Sequence, residues 1–102
     1  MSCSFQRKFL RPRWVVSDEG FEVRFLGVMK VRYSEAERSV WFWAEPVIIE
    51  QGEFKGQAGW QIALSKPSRW SNGMPLEDAE QRLVKDRTRD ALEFMHVPYV
   101  EI

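Results

Sequence analysis

Two chemically versatile residues are nearly missing from this sequence. Its 102 residues hold one cysteine, Cys3, and one histidine, His96. A single thiol closes no intramolecular disulfide and builds no thiol-rich metal site. A single imidazole, with no second nitrogen or sulfur ligand at a useful spacing, argues against a metal centre as well. Long hydrophobic runs are missing too. None approaches the roughly 18 residues of a membrane span, so no membrane contact is expected. The first residues, Met1-Ser2-Cys3-Ser4-Phe5-Gln6-Arg7, lack the apolar stretch of a secretory leader, and a cytoplasmic protein is the expectation.

An excess of charge of either sign is also lacking. Lys and Arg together number 15, as do Asp and Glu, so the formal net charge is zero. Nucleic-acid binders ordinarily carry a basic excess, because phosphate neutralisation supplies most of their affinity. Nucleic acid is therefore not expected as a partner. The local exception is the N-terminus, where Arg7, Lys8, Arg11 and Arg13 cluster. Residues 1–12 read as a solvated, flexible basic arm of the kind that termini often form.

What is present suffices for a core. Hydrophobic residues make up 44% of the chain and aromatic residues 14%, with five tryptophans. A chain of this length buries roughly two thirds of its unfolded surface, so a single domain over 1–102 is expected. Trp14-Val15-Val16 reads as a strand, turned by Ser17-Asp18-Glu19-Gly20. In 21–25, Phe21, Val23 and Phe25 alternate with Glu22 and Arg24, the pattern of a half-buried strand. Gly27 then breaks the run as a bulge or bend would. Met29, Val31 and Tyr33 alternate with Lys30 and Arg32 in the same manner. The segment 40–44, Val-Trp-Phe-Trp-Ala, is apolar on both faces. Pro46 interrupts it, since proline cannot donate to a ladder in mid-sheet. Val47-Ile48-Ile49 is a short edge strand, 51–59 a glycine-containing loop, and 60–64 a further strand.

After a polar connection, 66–74, the texture changes. Pro75 suits a first helical turn, and Glu77, Asp78 and Glu80 suit the positive end of a helix dipole. Leu76, Ala79, Leu83, Val84, Ala91, Leu92, Phe94 and Met95 form an apolar stripe. It weakens at Arg87 and Thr88, where a kink or polar contact is expected. Asp78 with Arg82, and Arg89 with Glu93, are pairs four apart. Pro98 stops the helix, and 99–102 alternates like a terminal strand. The expected fold is thus α+β: an antiparallel sheet of about five to six short strands, one long C-terminal amphipathic helix packed on one face, and a short terminal strand.

No catalytic constellation emerges. His96 sits where an imidazolium suits a helix C-terminus. Asp18 with Glu19, and Glu35 with Glu37, fall in wet turns with no desolvated pocket to separate their pKa values. Gly52, Gly56 and Gly59 join two strands and lack the lysine-serine/threonine ending of a phosphate loop. No cofactor, metal or catalytic residue is expected. The tryptophans carry more. Trp41 and Trp43 share one face of their strand, opposite Val40, Phe42 and Ala44, and a single helix can cover only one of the two faces. Exposed aromatic surface of that kind is an interface feature, unless the N-terminal arm with Phe5 and Phe9 folds over it. Arg69-Trp70 pairs the two commonest hot-spot residues, or else the indole tucks back to pin its loop.

In the C-terminal half, Glu45, Trp60-Gln61-Ile62, a loop ending in Pro75, and Arg82 through Ala91-Leu92-Glu93-Phe94 to Tyr99-Val100-Glu101-Ile102 occur in that order. This pattern resembles small bacterial proteins carried in integron gene cassettes and the similarly built immunity proteins of polymorphic toxin systems. It covers about two thirds of the chain and consists of packing positions. It departs at Met95-His96-Val97, where a glycine would follow the helix. The resemblance implies a compact α+β fold, mobile-element origin, frequent dimerisation and no catalytic residues.

Function is therefore expected to be non-enzymatic binding through a protein–protein surface, either as a homodimer or by capping another protein such as a toxin. The candidate residues are Trp41, Trp43, Trp60, Arg69 and Trp70. The alternative is a small-molecule module in which Trp41, Trp43 and Trp60 wall a pocket for an aromatic or cationic ligand. Single-stranded nucleic acid stacked on the tryptophans with help from the basic tail comes third, disfavoured by the zero net charge.

Overall fold

The structure, a computed structural model, describes residues 4–26 and 29–102. Cys3 and the expected bend at Gly27 lie outside the described residues. Among the described residues seven strands and one α-helix follow one another, with a short 3-10 turn (Lys8–Leu10) after the first strand: β1 (Phe5–Arg7), β2 (Trp14–Ser17), β3 (Phe21–Phe25), β4 (Lys30–Glu35), β5 (Arg38–Ile48), β6 (Ala58–Ile62), α1 (Asp78–Phe94) and β7 (Tyr99–Glu101). The strands lie side by side in chain order in one sheet. All neighbours are antiparallel except β6 and β7, which are parallel.

The expectation of five to six short antiparallel strands with a helix laid on one face is corrected here. The sheet is larger, mixed and curled into a half-barrel, with α1 held centrally in its concavity. Three physical causes account for the difference. First, Phe5–Arg7, within the segment expected to be an arm, pairs with β2 (Phe5 with Ser17, Arg7 with Val15). Secondly, Pro46 does not end its strand. Peptide N–H groups along a strand point alternately to either side, and the Ala44 N–H donates to Met29 on the β4 side. Pro46, two residues on, faces that same side beyond the β4 pairing, which ends at Trp43. No ladder donor is lost there, so 40–44 and 47–48 join in one strand of 11 residues. Thirdly, α1 carries the chain back across the sheet, and this crossover makes β7 run with β6.

Alternation puts Val15, Phe21, Val23, Phe25, Val31, Tyr33, Val40, Phe42, Ala44 and Ile62 in the concavity, all buried. Against them α1 presents Val84, Thr88, Ala91 and Leu92, one face of a helix by spacing. Each larger side chain so buried stabilises by roughly 1.5–3 kcal/mol. Leu83, expected in the stripe, lies just off that face and is exposed. Phe5 reaches from the sheet edge to Phe94, ring centroids 5.5 Å apart, so β1 closes over the helix C-terminal end. The helical ion pairs also differ from expectation. Arg89 leaves Glu93 for Glu101 on β7 (2.9 Å) and Asp86 (3.2 Å).

The helix terminates without the expected glycine. The His96 N–H donates to Glu93 O and the Val97 N–H to Leu92 O, the paired bonds of a Schellman turn, with Val97 buried beside them. His96 holds the left-handed position at φ 57°, which a residue with a Cβ adopts only at a cost. His96→Gly is expected to raise stability by about 0.5–1 kcal/mol, measured as a shift in the urea midpoint at constant m-value. A destabilised variant would mean that the imidazole makes contacts worth more than the backbone strain.

Candidate functional site

The convex face of the sheet holds what the core leaves outward. Register sets its rows. Trp14 stands opposite Arg24, Arg24 opposite Arg32, and Arg32 opposite Trp41. In the next row Lys30 stands opposite Trp43. The Arg24 guanidinium lies 4.1 Å from the Trp14 ring centroid, and Lys30 Nζ lies 4.7 Å from Trp41 and 5.9 Å from Trp43. Trp41 and Trp43 meet edge to face at 5.1 Å. On the far side of Trp43 the surface becomes apolar. Met29, Trp43 and Ile102, 42%, 49% and 55% exposed, line an open depression of about 550 Å³ together with Ala63, Glu45 and Lys66.

Of the residues singled out from the sequence, Trp41 and Trp43 are placed together on this outer face. Trp60 is not with them. It points into the concavity and packs on Phe25 with centroids 4.8 Å apart, so no pocket is walled by all three indoles. Trp70 is 2% exposed and belongs to the core. Arg38, not Arg69, sits over its ring at 3.8 Å. Arg69 is exposed and donates to the Gly73 carbonyl of its own loop. The connection bearing them runs beside the first half of β5. Ser68 N–H donates to Trp41 O, Ser68 Oγ accepts from Trp41 N–H, and Ser71 N–H donates to Ser39 O. That backbone pinning is why Trp70 turns inward.

A second cluster of charge lies at the mouth of the half-barrel. Arg87 donates to Tyr33 Oη (3.0 Å), which donates to Glu35 (2.7 Å). Arg38 bridges Glu35 (3.3 Å) and Glu80 (2.9 Å). This supplies the polar contact expected where the helix stripe weakens, and α1 runs through it without interruption. The Glu80 carboxylate accepts the Glu77 N–H at 3.0 Å. That bond, and then Arg38, holds its pKa below the usual carboxylate range. Every group here is engaged by another, which suits tethering rather than proton transfer. A further cleft of about 530 Å³ lies between Glu53, Phe54, Glu93, His96 and Tyr99. Among the described residues no group of His, Cys, Asp or Glu is arranged to hold a metal ion, and no helix is long and apolar enough to cross a membrane.

Sequence reasoning missed the cation row and the part of Met29 and Ile102 in the apolar patch. The outward positions of each alternating run were visible, Arg24 in one and Lys30 and Arg32 in the next. Only the cross-strand register turns them into neighbours.

Two tyrosines give the structure an alkaline limit. Burial pushes Tyr33 and Tyr99 up from 10.0 to about 12. A folded-state pKa above the unfolded one stabilises fully below the unfolded value and is lost as pH rises through the folded value. The urea midpoint is therefore expected to hold to about pH 9 and to fall between about pH 10 and 12. Tyr99→Phe, which removes one of the two groups, should make that fall shallower. An unchanged slope would mean that Tyr99 ionises as freely in the folded protein as in the unfolded one.

No protein-family model, curated protein or solved structure matches the chain.

Proposed function

We propose that the chain is a non-enzymatic binding protein that meets a second copy of itself, or another protein in the manner of an immunity protein, through the outer face of β5 around Trp43. The observation that carries this is the exposure of Trp43 in one continuous surface with Met29 and Ile102. A large indole left half in water is the centre of an apolar patch with a polar rim, Glu45 and Lys66 here. Interfaces are built that way, with Trp and Met enriched at their centres. The resemblance to gene-cassette proteins, with their frequent dimerisation, supports the same reading.

A small-molecule reading retains one specific support. The depression sets Glu45 beside Trp43, a combination that suits a cationic aromatic ligand.

Sedimentation velocity on the wild type and Trp43→Ser tests the proposal. The wild type is expected to form a concentration-dependent dimer, or to retain one partner protein, at an affinity at least about tenfold above that of the variant. Stability should change by no more than about 0.5 kcal/mol, as for a surface position. Phe42→Ala, on the opposite face of the same strand, should destabilise by about 3–5 kcal/mol. A wild type that stays monomeric, with no capture that depends on Trp43, overturns the proposal. Tryptophan quenching by cationic aromatic compounds would then favour the depression as a ligand site.

A further inference from the structure

Three cations on the convex face have no carboxylate partner among the described residues. Arg24 and Arg32 stand directly opposite one another across β3 and β4. Lys30 is on the same face as Arg32, two residues away. Like charges opposed across a strand pair destabilise a sheet. None of the three forms an ion pair among the described residues, and Arg32 Nε is buried without an acceptor. Glu22, the carboxylate two residues from Arg24 on its own strand, is taken by Lys8 at 3.1 Å. Among the described residues the row is met by indoles, Arg24 on Trp14 and Lys30 on Trp41, and by no carboxylate that would neutralise its charge.

Its ends are aromatic. Across β2, β3, β4 and β5 the row reads Trp14, Arg24, Arg32, Trp41, with Lys30 and Trp43 directly behind. A guanidinium set over an indole, as Arg24 is over Trp14, keeps its planar fork of donors free at the edge for an oxyanion. The formal charge of zero conceals the setting. Residues 4–35, which make β1 to β4, hold seven Lys and Arg against four Asp and Glu, whereas residues 36–102 hold eight against eleven.

We propose that this row binds single-stranded nucleic acid without reading its sequence, the phosphates lying on Arg24, Arg32 and Lys30 and the bases on the indoles of Trp41 and Trp43. Three adjacent cations with no acid between them call for a ligand whose negative charges recur at short, regular spacing. A phosphodiester chain carries one on every unit, whereas a protein surface would have to place several carboxylates in register. Indoles flanking the cations add stacking, which every base accepts. A duplex, whose bases are already stacked, can use only the cations.

Fluorescence anisotropy with a labelled 15-mer of uridine, titrated with the full chain at 50 and 200 mM salt, tests this. Three phosphate contacts give a slope near −0.7 per contact, so affinity should fall roughly 20-fold over that range. The double variant Arg24→Gln, Arg32→Gln leaves Lys30 alone and should reduce the fall to about threefold, with weaker binding at 50 mM. Arg24→Lys with Arg32→Lys should restore most of the slope, separating charge from misfolding. A 15-base-pair duplex should bind at least about tenfold more weakly per strand, because the stacking is lost. No binding of the uridine 15-mer at 50 mM salt, or binding indifferent to the Arg→Gln changes, overturns the proposal. Equal affinity for a 15-residue glutamate peptide also overturns it and assigns the row to an acidic protein. The contact at Trp43 is tested separately. Should the Arg→Gln variant lose self-association while still binding uridine 15-mer as the wild type does, the row belongs to the protein contact and not to nucleic acid.

Discussion

Strand β5 pairs with β4 through Trp43 and with β6 from Ala44 onward, so its single backbone carries both halves of the sheet. The change of partner at Ala44 lets the two halves diverge in direction, and that divergence gives a sheet of short strands its curl. Ala44 is fully buried at the point of change. Once Val40, Phe42 and Ala44 are committed to the concavity, the period of two sends Trp41 and Trp43 outward, and a slip of one residue would reverse every position. The core and the candidate surface are therefore fixed by the same alternation and cannot be altered independently.

A half-barrel has an open mouth, and the polar cluster there does what a further strand would do in a closed one. Arg38 on β5 reaches Glu80 on α1, and Arg87 on α1 reaches Tyr33 on β4. At the other end, Lys85 and Arg89 on α1 share Glu101 on β7. These partly exposed bonds add little stability singly, but together they join the helix to three strands, β4, β5 and β7, and so fix its rotation in the concavity. Rotation decides which residues are buried. Val84 and Thr88 face the sheet, and Leu83, one position away, faces water.

Much of this was legible in the sequence. The alternating runs at 21–25 and 30–33 and the helix between Pro75 and Pro98 follow from periodicity, and the structure contains each, whereas the inward face of 40–44, apolar on both sides, and the outward place of Met29 do not. What was illegible depended on partners distant in sequence. β1 is too short and polar to show a period and exists because β2 offers it a ladder. Pro46 reads as a breaker until one knows that β4 has already ended on its side. His96 occupies a turn position usually given to glycine, and backbone bonds from residues 96 and 97 to the last turn hold it there. Trp70 looks like an exposed anchor beside Arg69. It is drawn inward because its segment hydrogen-bonds along β5, a contact between residues 39–41 and 68–71 that no local pattern announces.

The outer face illustrates the same limit in its electrostatics. A count of charges over a whole chain is blind to arrangement, and here opposite excesses in the first third and the remainder cancel to zero. Within the first third, alternation places Glu22, Arg24, Lys30 and Arg32 on the convex side, and pairing then brings the two arginines face to face. A sheet selected for stability alone would oppose one of them with a carboxylate, which one substitution could supply. The opposed arginines persist beside an aromatic surface that the helix, on the concave side, cannot reach. Burial accounts for the inner face of these strands, whereas on the outer face the opposed charges are met by indoles, Arg24 on Trp14 and Lys30 on Trp41.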